Sequence, residues 1–140
     1  ANCVFINGKK NINIENTILS NNKEIKIFYT QYVPKNIDKF KNKKITAFSG
    51  IGNPANFFDL LKENNINVIN EIEFPDHHNF SENELKNLIT TAEKGNSILL
   101  TTEKDYFRIS SNYKKNIDYL KIITEIKNRD KLISEIKKII

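Results

Sequence analysis

The sequence predicts an α/β fold: a three-layer α/β/α lobe with a mainly parallel sheet, and a separate β-strand near the N-terminus. From residue 45 onward, short apolar segments alternate with segments of helical periodicity, which is the order of a parallel sheet flanked by helices. The apolar run 98–100 has no polar alternation, as expected of a central strand covered on both faces. Residues 24–33 alternate between apolar and polar side chains and have polar stretches on both sides. We therefore expect this strand to lie outside the main sheet.

The N-terminal part of the chain is predicted in three segments. The apolar run Cys3–Ile6 is followed by Asn7 and Gly8, a pattern that predicts a buried strand and a turn. Residues 9–22 are polar and rich in Asn, and we predict an irregular connection there that contains at most a short helical turn. Pro34 ends the following strand, because proline cannot donate to a sheet ladder.

The rest of the chain supplies the main sheet and its helices. Further strands are predicted over 45–49, 66–74, 98–100 and 119–123. Each intervening helix has a start signal: Asn53 before Pro54, the capping box of Ser81 and Glu84, and Thr102. A terminal helix is predicted over 129–140, with these apolar residues facing inward: Leu132, Ile133, Ile136, Ile139 and Ile140.

The composition restricts the possible functions. The chain has 140 residues, which suits one domain, and its 22 basic and 17 acidic residues give a net charge of +5. This balance favours an anionic partner. The aromatic residues are mostly Phe within apolar faces, which does not indicate nucleic-acid binding. Cys3 is the only cysteine, so no internal disulfide is possible, and no apolar run approaches the ~20 residues of a membrane span. Much of the basic excess lies in a lysine segment that contains Lys35, Lys39, Lys41, Lys43 and Lys44, and the alternative for such a run is an ordinary solvated loop.

The loop after the 66–74 strand holds Asp76, His77 and His78, and so contains both histidines of the chain. A histidine titrates near neutral pH, so it can exchange protons or carry charge beside a phosphate. The neighbouring Asp76 can orient such a ring, and the alternative is a loop histidine without a role. We expect no metal site, because adjacent histidine side chains diverge and Cys3 is the only thiol. A serine-hydrolase site is not indicated, since the chain has no Gly-x-Ser-x-Gly motif.

Two further motifs follow predicted strands. Gly50, Gly52 and Asn53 form a turn ahead of a helix N-terminus, an arrangement that suits an anion. The alternative is an ordinary tight connection between strand and helix, since the turn lacks the third glycine of a dinucleotide fingerprint and the chain has no P-loop motif. Lys104 lies in the segment Thr-Thr-Glu-Lys-Asp at 101–105. This segment is typical of a helix cap with a local ion pair, and it also offers Lys104 to a phosphate.

Taken in order, three motifs resemble the C-terminal half of the tetraacyldisaccharide 4'-kinase family. They are Ala-Phe-Ser-Gly-Ile-Gly-Asn-Pro with Phe-Phe two residues later (47–58), Phe-Pro-Asp-His-His (74–78), and Leu-Leu-Thr-Thr-Glu-Lys-Asp (99–105). The opening residues 4–8 resemble the strand after that family's catalytic core. The resemblance implies two α/β/α lobes joined by a two-stranded linker. Residues 1–140 are then the C-terminal lobe, with a linker strand at about 24–34, and the N-terminal P-loop lobe is absent from the chain.

The resemblance also implies a function. The family uses ATP and Mg²⁺ to phosphorylate the 4' position of the lipid A disaccharide precursor at the cytoplasmic face of the inner membrane. It implies that Asp76 and His77 are catalytic, with His77 tuning the catalytic base of the other lobe. The positions proposed near substrate or phosphate are Gly50, Gly52, Asn53 and Lys104. The implied partners are tetraacyldisaccharide 1-phosphate, the N-terminal lobe and the inner-membrane surface, which the lysine segment is expected to face.

The chain departs from the family in one large respect. The P-loop, the metal-binding acid and the base aspartate belong to the family's N-terminal half, and phosphoryl transfer needs a cradle for the nucleotide phosphates and Mg²⁺. We therefore predict that these 140 residues are inactive on their own. The alternative function is a non-catalytic basic α/β module that binds a phosphorylated ligand or a protein partner.

Overall fold

The computed structural model describes residues 2–140, which form two compact units. The central unit is Pro34–Lys121, and the terminal unit combines the chain up to Val33 with Ile122–Ile140. In chain order the elements are β1 (Cys3–Asn7), α1 (Ile12–Asn21), β2 (Lys26–Pro34), a 3₁₀ turn (Ile37–Phe40), β3 (Lys44–Ser49), α2 (Pro54–Glu63), β4 (Asn67–Glu73), α3 (Glu82–Lys94), β5 (Ile98–Thr102), α4 (Glu103–Phe107), α5 (Ser111–Lys114), β6 (Asp118–Leu120), β7 (Ile122–Ile126) and α6 (Arg129–Ile139).

The central unit contains the predicted parallel sheet, with strand order β4-β3-β5-β6. All its neighbouring strands are parallel; Phe48 of β3 lies beside Ile72 of β4, and Ala47 of β3 beside Leu100 of β5. The two middle strands are the most buried, since Ala47, Phe48 and Leu100 have no exposed surface. The prediction of a mainly parallel sheet flanked by helices is confirmed.

Three helices of the central unit, α2, α3 and α4, begin where the sequence predicts, whereas the short helix α5 was not predicted. At the start of α3, the backbone N–H of Glu84 donates to Ser81 Oγ (3.2 Å) and the Ser81 N–H donates to Glu84 Oε2 (2.8 Å), so the capping box is complete. Pro54 occupies the first turn of α2 and Asn53 its N-cap position, although the Asn53 side chain makes no capping hydrogen bond. The inward faces of α2 and α3 place large apolar side chains in the core: Phe57, Phe58 and Leu61 from α2, and Leu85 and Leu88 from α3.

The terminal unit holds a second sheet of order β1-β2-β7, in which β1 and β2 are parallel. The strand predicted at 24–33 therefore lies outside the main sheet, as expected. The single strand predicted over 119–123 is wrong: β6 pairs in the central sheet and β7 in the second sheet. The side chain of Asn36 holds the break between them, because its Nδ2 donates to the Tyr119 carbonyl (2.9 Å) and its Oδ1 accepts from the Lys121 N–H (2.8 Å).

Three other predictions for the terminal unit are wrong. Residues 9–22 contain the full helix α1, which starts because Asn11 Oδ1 accepts from the Ile14 N–H (3.2 Å). The Asn-rich composition indicated an irregular connection, whereas Asn is a favourable N-cap. The strand β1 is not buried, since Phe5 is 50% exposed. In the terminal helix only Leu132 is buried, whereas the other apolar residues predicted to face inward are exposed: Ile133, Ile136, Ile139 and Ile140.

Candidate functional site

The parallel sheet of the central unit brings the sequence motifs to one edge. Because β3, β4 and β5 run in the same direction, the segments that follow them all leave from their carboxyl ends. These segments are Gly50–Asn53, Pro75–His78 and Glu103–Asp105, and we call them together the rim. The rim is the edge at which open parallel sheets bind ligands.

The Gly50 turn and the histidine loop are in direct contact. The Gly50 carbonyl accepts a hydrogen bond from the backbone N–H of His77 (3.0 Å), and the Phe74 N–H donates to the Ser49 carbonyl (2.8 Å). A Cβ atom at position 50 would lie 3.2 Å from the Pro75 carbonyl oxygen and 3.3 Å from the Cβ of His78. Glycine at this position therefore lets the two segments approach closely.

His77 is presented to solvent at the rim. Its side chain is 70% exposed, and its Nε2 lies 3.6 Å from Oδ2 of Asp76, which is 48% exposed. That distance is longer than a hydrogen bond, so the carboxylate lies beside the ring without bonding it. The backbone of His77 has a φ of 56°, the left-handed region that His, Asn and Asp adopt more readily than other non-glycine residues. The turn is closed by the His78 N–H, which donates to the Pro75 carbonyl (3.1 Å).

His78 has a different environment from His77. Its ring stacks on Phe74 (4.9 Å between centroids) and meets Phe80 edge-on (5.3 Å). Its Nε2 lies 3.0 and 2.9 Å from the two carboxylate oxygens of Glu84. The hydrogen bond from the Ser81 N–H, and secondarily the contact with His78, hold the pKa of Glu84 below its ordinary value. His78 thus anchors the loop to the start of α3, while His77 stays accessible.

Asp105 is a central residue of the rim that the sequence reasoning did not single out. Its side chain is fully buried, and its Oδ2 accepts hydrogen bonds from Ser49 Oγ (3.2 Å), the Gly50 N–H (3.0 Å) and Thr102 Oγ1 (2.8 Å). Its Oδ1 accepts from Arg108 NH2, which also donates to the Gly50 carbonyl (3.0 Å). The available signal was an Asp three residues after the helix cap Thr102.

The other predicted site residues lie on the same rim with fewer contacts. Lys104 is exposed in the first turn of α4, behind the cap that Thr102 Oγ1 makes by accepting from the Asp105 N–H (3.1 Å). Gly52 is exposed and lies against the Asp76 carboxylate, since a Cβ there would be 3.4 Å from Oδ2. Asn53 is exposed at the start of α2.

The donor set of the rim does not fit a magnesium–nucleotide site. Asp105 already accepts from four donor groups, and the nearby Asp76 is a single exposed carboxylate. Mg²⁺ needs octahedral oxygen ligation, with carboxylates and substrate phosphates held together. Within residues 2–140 the structure has no group of three His, Cys, Asp or Glu side chains placed to hold a metal ion.

The lysine segment lies at the opposite edge of the sheet from the rim, because it leads into the amino end of β3. Its 3₁₀ turn is anchored by the fully buried Phe40. Lys39 Nζ pairs with Asp118 (2.8 Å), and Lys41 pairs with Asp38 (3.0 Å). In the described part of the chain, the helices are too short and too polar to span a bilayer.

The central unit is an α/β lobe of the class that places its functional loops at the carboxyl edge of a parallel sheet. The model of one family, described as LpxK, tetraacyldisaccharide-1-P 4'-kinase, matches residues 1–140, and the chain belongs to this family.

Curated relatives and a solved structure agree with this assignment. The tetraacyldisaccharide 4'-kinase of Pelagibacter ubique is 36% identical over 97% of this chain, and that of Rickettsia typhi is 44% identical over 81%. The chain spans less than half of these relatives, 44% and 35% of their respective lengths. A crystal structure of LpxK from Aquifex aeolicus in complex with ATP superposes with a TM-score of 0.52 and 28% identity, over 82% of this chain and 36% of that one.

Proposed function

We propose that this chain is the C-terminal part of a tetraacyldisaccharide 4'-kinase, which transfers a phosphoryl group from ATP to the 4' position of tetraacyldisaccharide 1-phosphate in lipid A biosynthesis. Membership of the family supports the activity, and the ATP complex of the Aquifex aeolicus relative supports the phosphoryl donor. In this proposal residues 24–34 form the interlobe linker strand, and the N-terminal lobe supplies the P-loop and binds Mg²⁺ and the nucleotide phosphates.

The single observation that carries the role of this lobe is the presentation of His77. The loop is fixed from both sides, by the His77 N–H on the Gly50 carbonyl (3.0 Å) and by His78 on Glu84 (2.9 Å). The His77 ring nevertheless remains 70% exposed at the carboxyl edge of the sheet. A ring that is held in place by its backbone and left open to solvent is suited to act on a group outside its own lobe.

His77 is proposed to assist the catalytic base of the N-terminal lobe. The acceptor hydroxyl must lose a proton as its oxygen attacks the γ-phosphoryl group. An imidazole beside the base can take up that proton at its free nitrogen and release it to water. The Asp76 carboxylate lies 3.6 Å from His77 Nε2, beside the edge of the ring. Gly50, Gly52, Asn53 and Lys104 are proposed to lie near the substrate or a phosphate group, with Gly50, whose N–H already donates to Asp105 Oδ2 (3.0 Å), contributing only as part of the turn.

The membrane role is proposed for the lysine segment. The acceptor is a glycolipid, so the enzyme works as a peripheral protein at the cytoplasmic face of the inner membrane. Each lysine near an anionic bilayer surface contributes about 1 kcal/mol of attraction. Lys39 and Lys41 already have acidic neighbours, so the segment's net attraction is smaller than its lysine count suggests.

The role of His77 is tested with His77→Asn in the intact enzyme. Asn tolerates the left-handed backbone of this position, so the substitution removes the titrating ring without straining the turn. We expect kcat to fall about 10²-fold, in the range of general acid–base effects, with little change in KM. The matched control is Asn79→Ala, which changes an exposed residue of the same loop and should leave kcat unaltered. A His77→Asn enzyme with normal kcat at every pH would refute the catalytic role.

The division of labour between the lobes is tested by reconstitution. The 140-residue chain alone should not phosphorylate the disaccharide with ATP, and neither should the N-terminal half alone. We expect a mixture of the two to restore measurable turnover, because His77 then meets its partner lobe. Turnover by the 140-residue chain alone would contradict the proposal. Phosphate-dependent ligand binding by this chain, without any effect of His77 on the intact enzyme, would favour the non-catalytic module.

A further inference from the structure

We propose that the pair formed by the buried Asp105 and the partly buried Arg108 is a positioning device, which fixes the peptide of Gly50 and thereby sets the conformation in which His77 is presented. The kinetic part of this inference rests on the proposed function of His77, and the structural part does not. Asp105 has no exposed surface, and both Asp105 and Arg108 bond the backbone of Gly50, so the pair acts through Gly50.

Gly50 is the point at which three segments meet. Its N–H donates to Asp105 Oδ2 (3.0 Å), and its carbonyl accepts from both Arg108 NH2 (3.0 Å) and the His77 N–H (3.0 Å). Both ends of the Gly50 residue are therefore held by the Asp105–Arg108 pair. The loop that carries His77 is bonded to the same carbonyl, so a displacement of this carbonyl moves the His77 backbone.

The burial of Asp105 exceeds what a helix cap requires. The cap of α4 is made by Thr102 Oγ1 and the Asp105 N–H (3.1 Å), and it needs no charge on residue 105. The carboxylate instead faces Ser49 and Gly50 at the end of β3. A buried ion pair contributes little net stability compared with apolar residues of similar size. The buried Asp105 carboxylate bonds the turn at Gly50, and we therefore infer that its main role is to fix the geometry of that turn.

Arg108 reinforces this interpretation. Its NH2 group bridges Asp105 Oδ1 and the Gly50 carbonyl, so one planar group sets the distance between the carboxylate and the turn. Lysine keeps the positive charge but cannot bridge two acceptors with the same fixed geometry. Arg108 therefore does more than neutralise the charge of Asp105. The substitution Arg108→Lys separates these two roles, because it keeps the charge and changes the geometry.

The test compares Asp105→Asn and Arg108→Lys in the intact enzyme with Thr46→Val as the matched control. Thr46 is also fully buried in the central sheet, and its hydroxyl bonds Ser97 Oγ (2.7 Å) and Asn70 Nδ2 (3.2 Å), neither of which is a rim residue. Hydrogen exchange of the peptide that covers residues 74–80 is the structural measurement. We expect it to quicken about 10-fold or more in Asp105→Asn, the effect of losing a charged hydrogen bond, and less in Arg108→Lys. Thr46→Val should leave exchange in 74–80 unchanged.

The kinetic measurement is a double-mutant cycle with His77→Asn. If Asp105 acts through His77, the double variant Asp105→Asn/His77→Asn is no slower than His77→Asn alone, because non-additivity is the sign of coupled residues. Unchanged exchange in 74–80 in both folded variants, Asp105→Asn and Arg108→Lys, overturns the positioning role. Faster exchange in 74–80 together with a fully active His77→Asn enzyme leaves the positioning role standing and refutes the catalytic role of His77.

Discussion

The central and terminal units differ in how they bury their apolar residues. In the central unit, β3 and β5 are covered on both faces and large residues such as Phe48 and Leu100 have no exposed surface. Among the described residues of the terminal unit, the buried hydrophobic ones are Phe28 and Leu132, while Phe5, Ile12 and Ile136 are between 43% and 62% exposed. The comparison shows that apolar periodicity alone does not predict burial. A strand or helix buries its apolar face only where a second layer covers it.

The largest expected effect is a loss of packing in the central unit. Phe48→Ala removes a fully buried ring that meets Phe74 and Phe80 edge-on (6.3 and 5.4 Å between centroids), and we expect it to lower the free energy of unfolding by about 3–5 kcal/mol. Urea unfolding of the 140-residue chain, followed by circular dichroism, measures it. Ile136→Ala in the terminal unit is the control and should cost no more than about 0.5 kcal/mol. Equal losses for the two would remove the contrast between the units.

A smaller loss is expected at the buried residue of the terminal helix. Leu132→Ala should cost about 2 kcal/mol, at the low end for a buried leucine, because the surrounding unit is open enough to relax around the missing atoms. The neighbouring exposed Ile133→Ala serves as its partner measurement. A loss at Leu132 as large as that at Phe48 would mean that the terminal unit is packed as tightly as the central one.

The helix caps give a still smaller effect. Ser81→Ala breaks the bond that Ser81 Oγ accepts from the Glu84 N–H (3.2 Å) and should destabilise the central unit by about 1 kcal/mol. Asn11→Ala is the matched change in the terminal unit, where Asn11 Oδ1 caps α1. If only Ser81→Ala registers in thermal unfolding, α1 is not part of the cooperative transition.

The smallest effects are pH-dependent and have opposite signs in the two units. In the central unit, the hydrogen bond from Ser81 and the contact with His78 hold the pKa of Glu84 below its ordinary value. Glu84 therefore contributes stability above its unfolded pKa, and this contribution is lost as the pH falls through the lowered folded value. In the terminal unit, burial and the hydrogen bond to Glu15 raise the pKa of Tyr29. Its contribution is present below the unfolded pKa and is lost as the pH rises through the raised value.

Unfolding titrated against pH separates these two contributions. Glu84→Gln should make the free energy of unfolding depend less on pH in the acid range. Glu93→Gln, which changes an exposed glutamate later in the same helix, should leave that dependence unchanged. Tyr29→Phe should flatten the alkaline limb and leave the acid limb as it was. If the free energy of unfolding falls equally at acid pH with and without Glu84, the capping box does not stabilise the charged form of Glu84 in solution.

Local signals account for what the sequence predicts correctly. The features that depend on neighbouring residues follow from the sequence: the strands β3, β4 and β5, the Ser81 capping box, Pro54 and the Thr102 cap. The break between β6 and β7 was missed because it depends on Asn36, whose side chain bonds Tyr119 and Lys121 far along the chain. The exposure of α6 was missed because periodicity identifies an apolar face without showing what covers it.

The candidate site was predictable to the same degree. That Asp76, His77, Gly50 and Lys104 lie on one edge follows from parallel strand order, which the sequence indicates. The different environments of His77 and His78 do not follow, because they depend on the packing of His78 between Phe74 and Phe80. Asp105 was missed for a related reason: no pattern of charges along a chain shows which carboxylate is buried.

The hydrogen bond from the Lys35 N–H to the Lys121 carbonyl (2.8 Å) bears on how the polypeptide is assembled. It brings the two ends of Pro34–Lys121 side by side, so this region has the topology of an insertion in a host made from the flanking segments. Such an inserted segment is suited to being produced without the flanking segments, and a short loop is enough to connect its two ends. The histidine loop therefore belongs to a continuous segment that is joined to the rest of the polypeptide at two adjacent points.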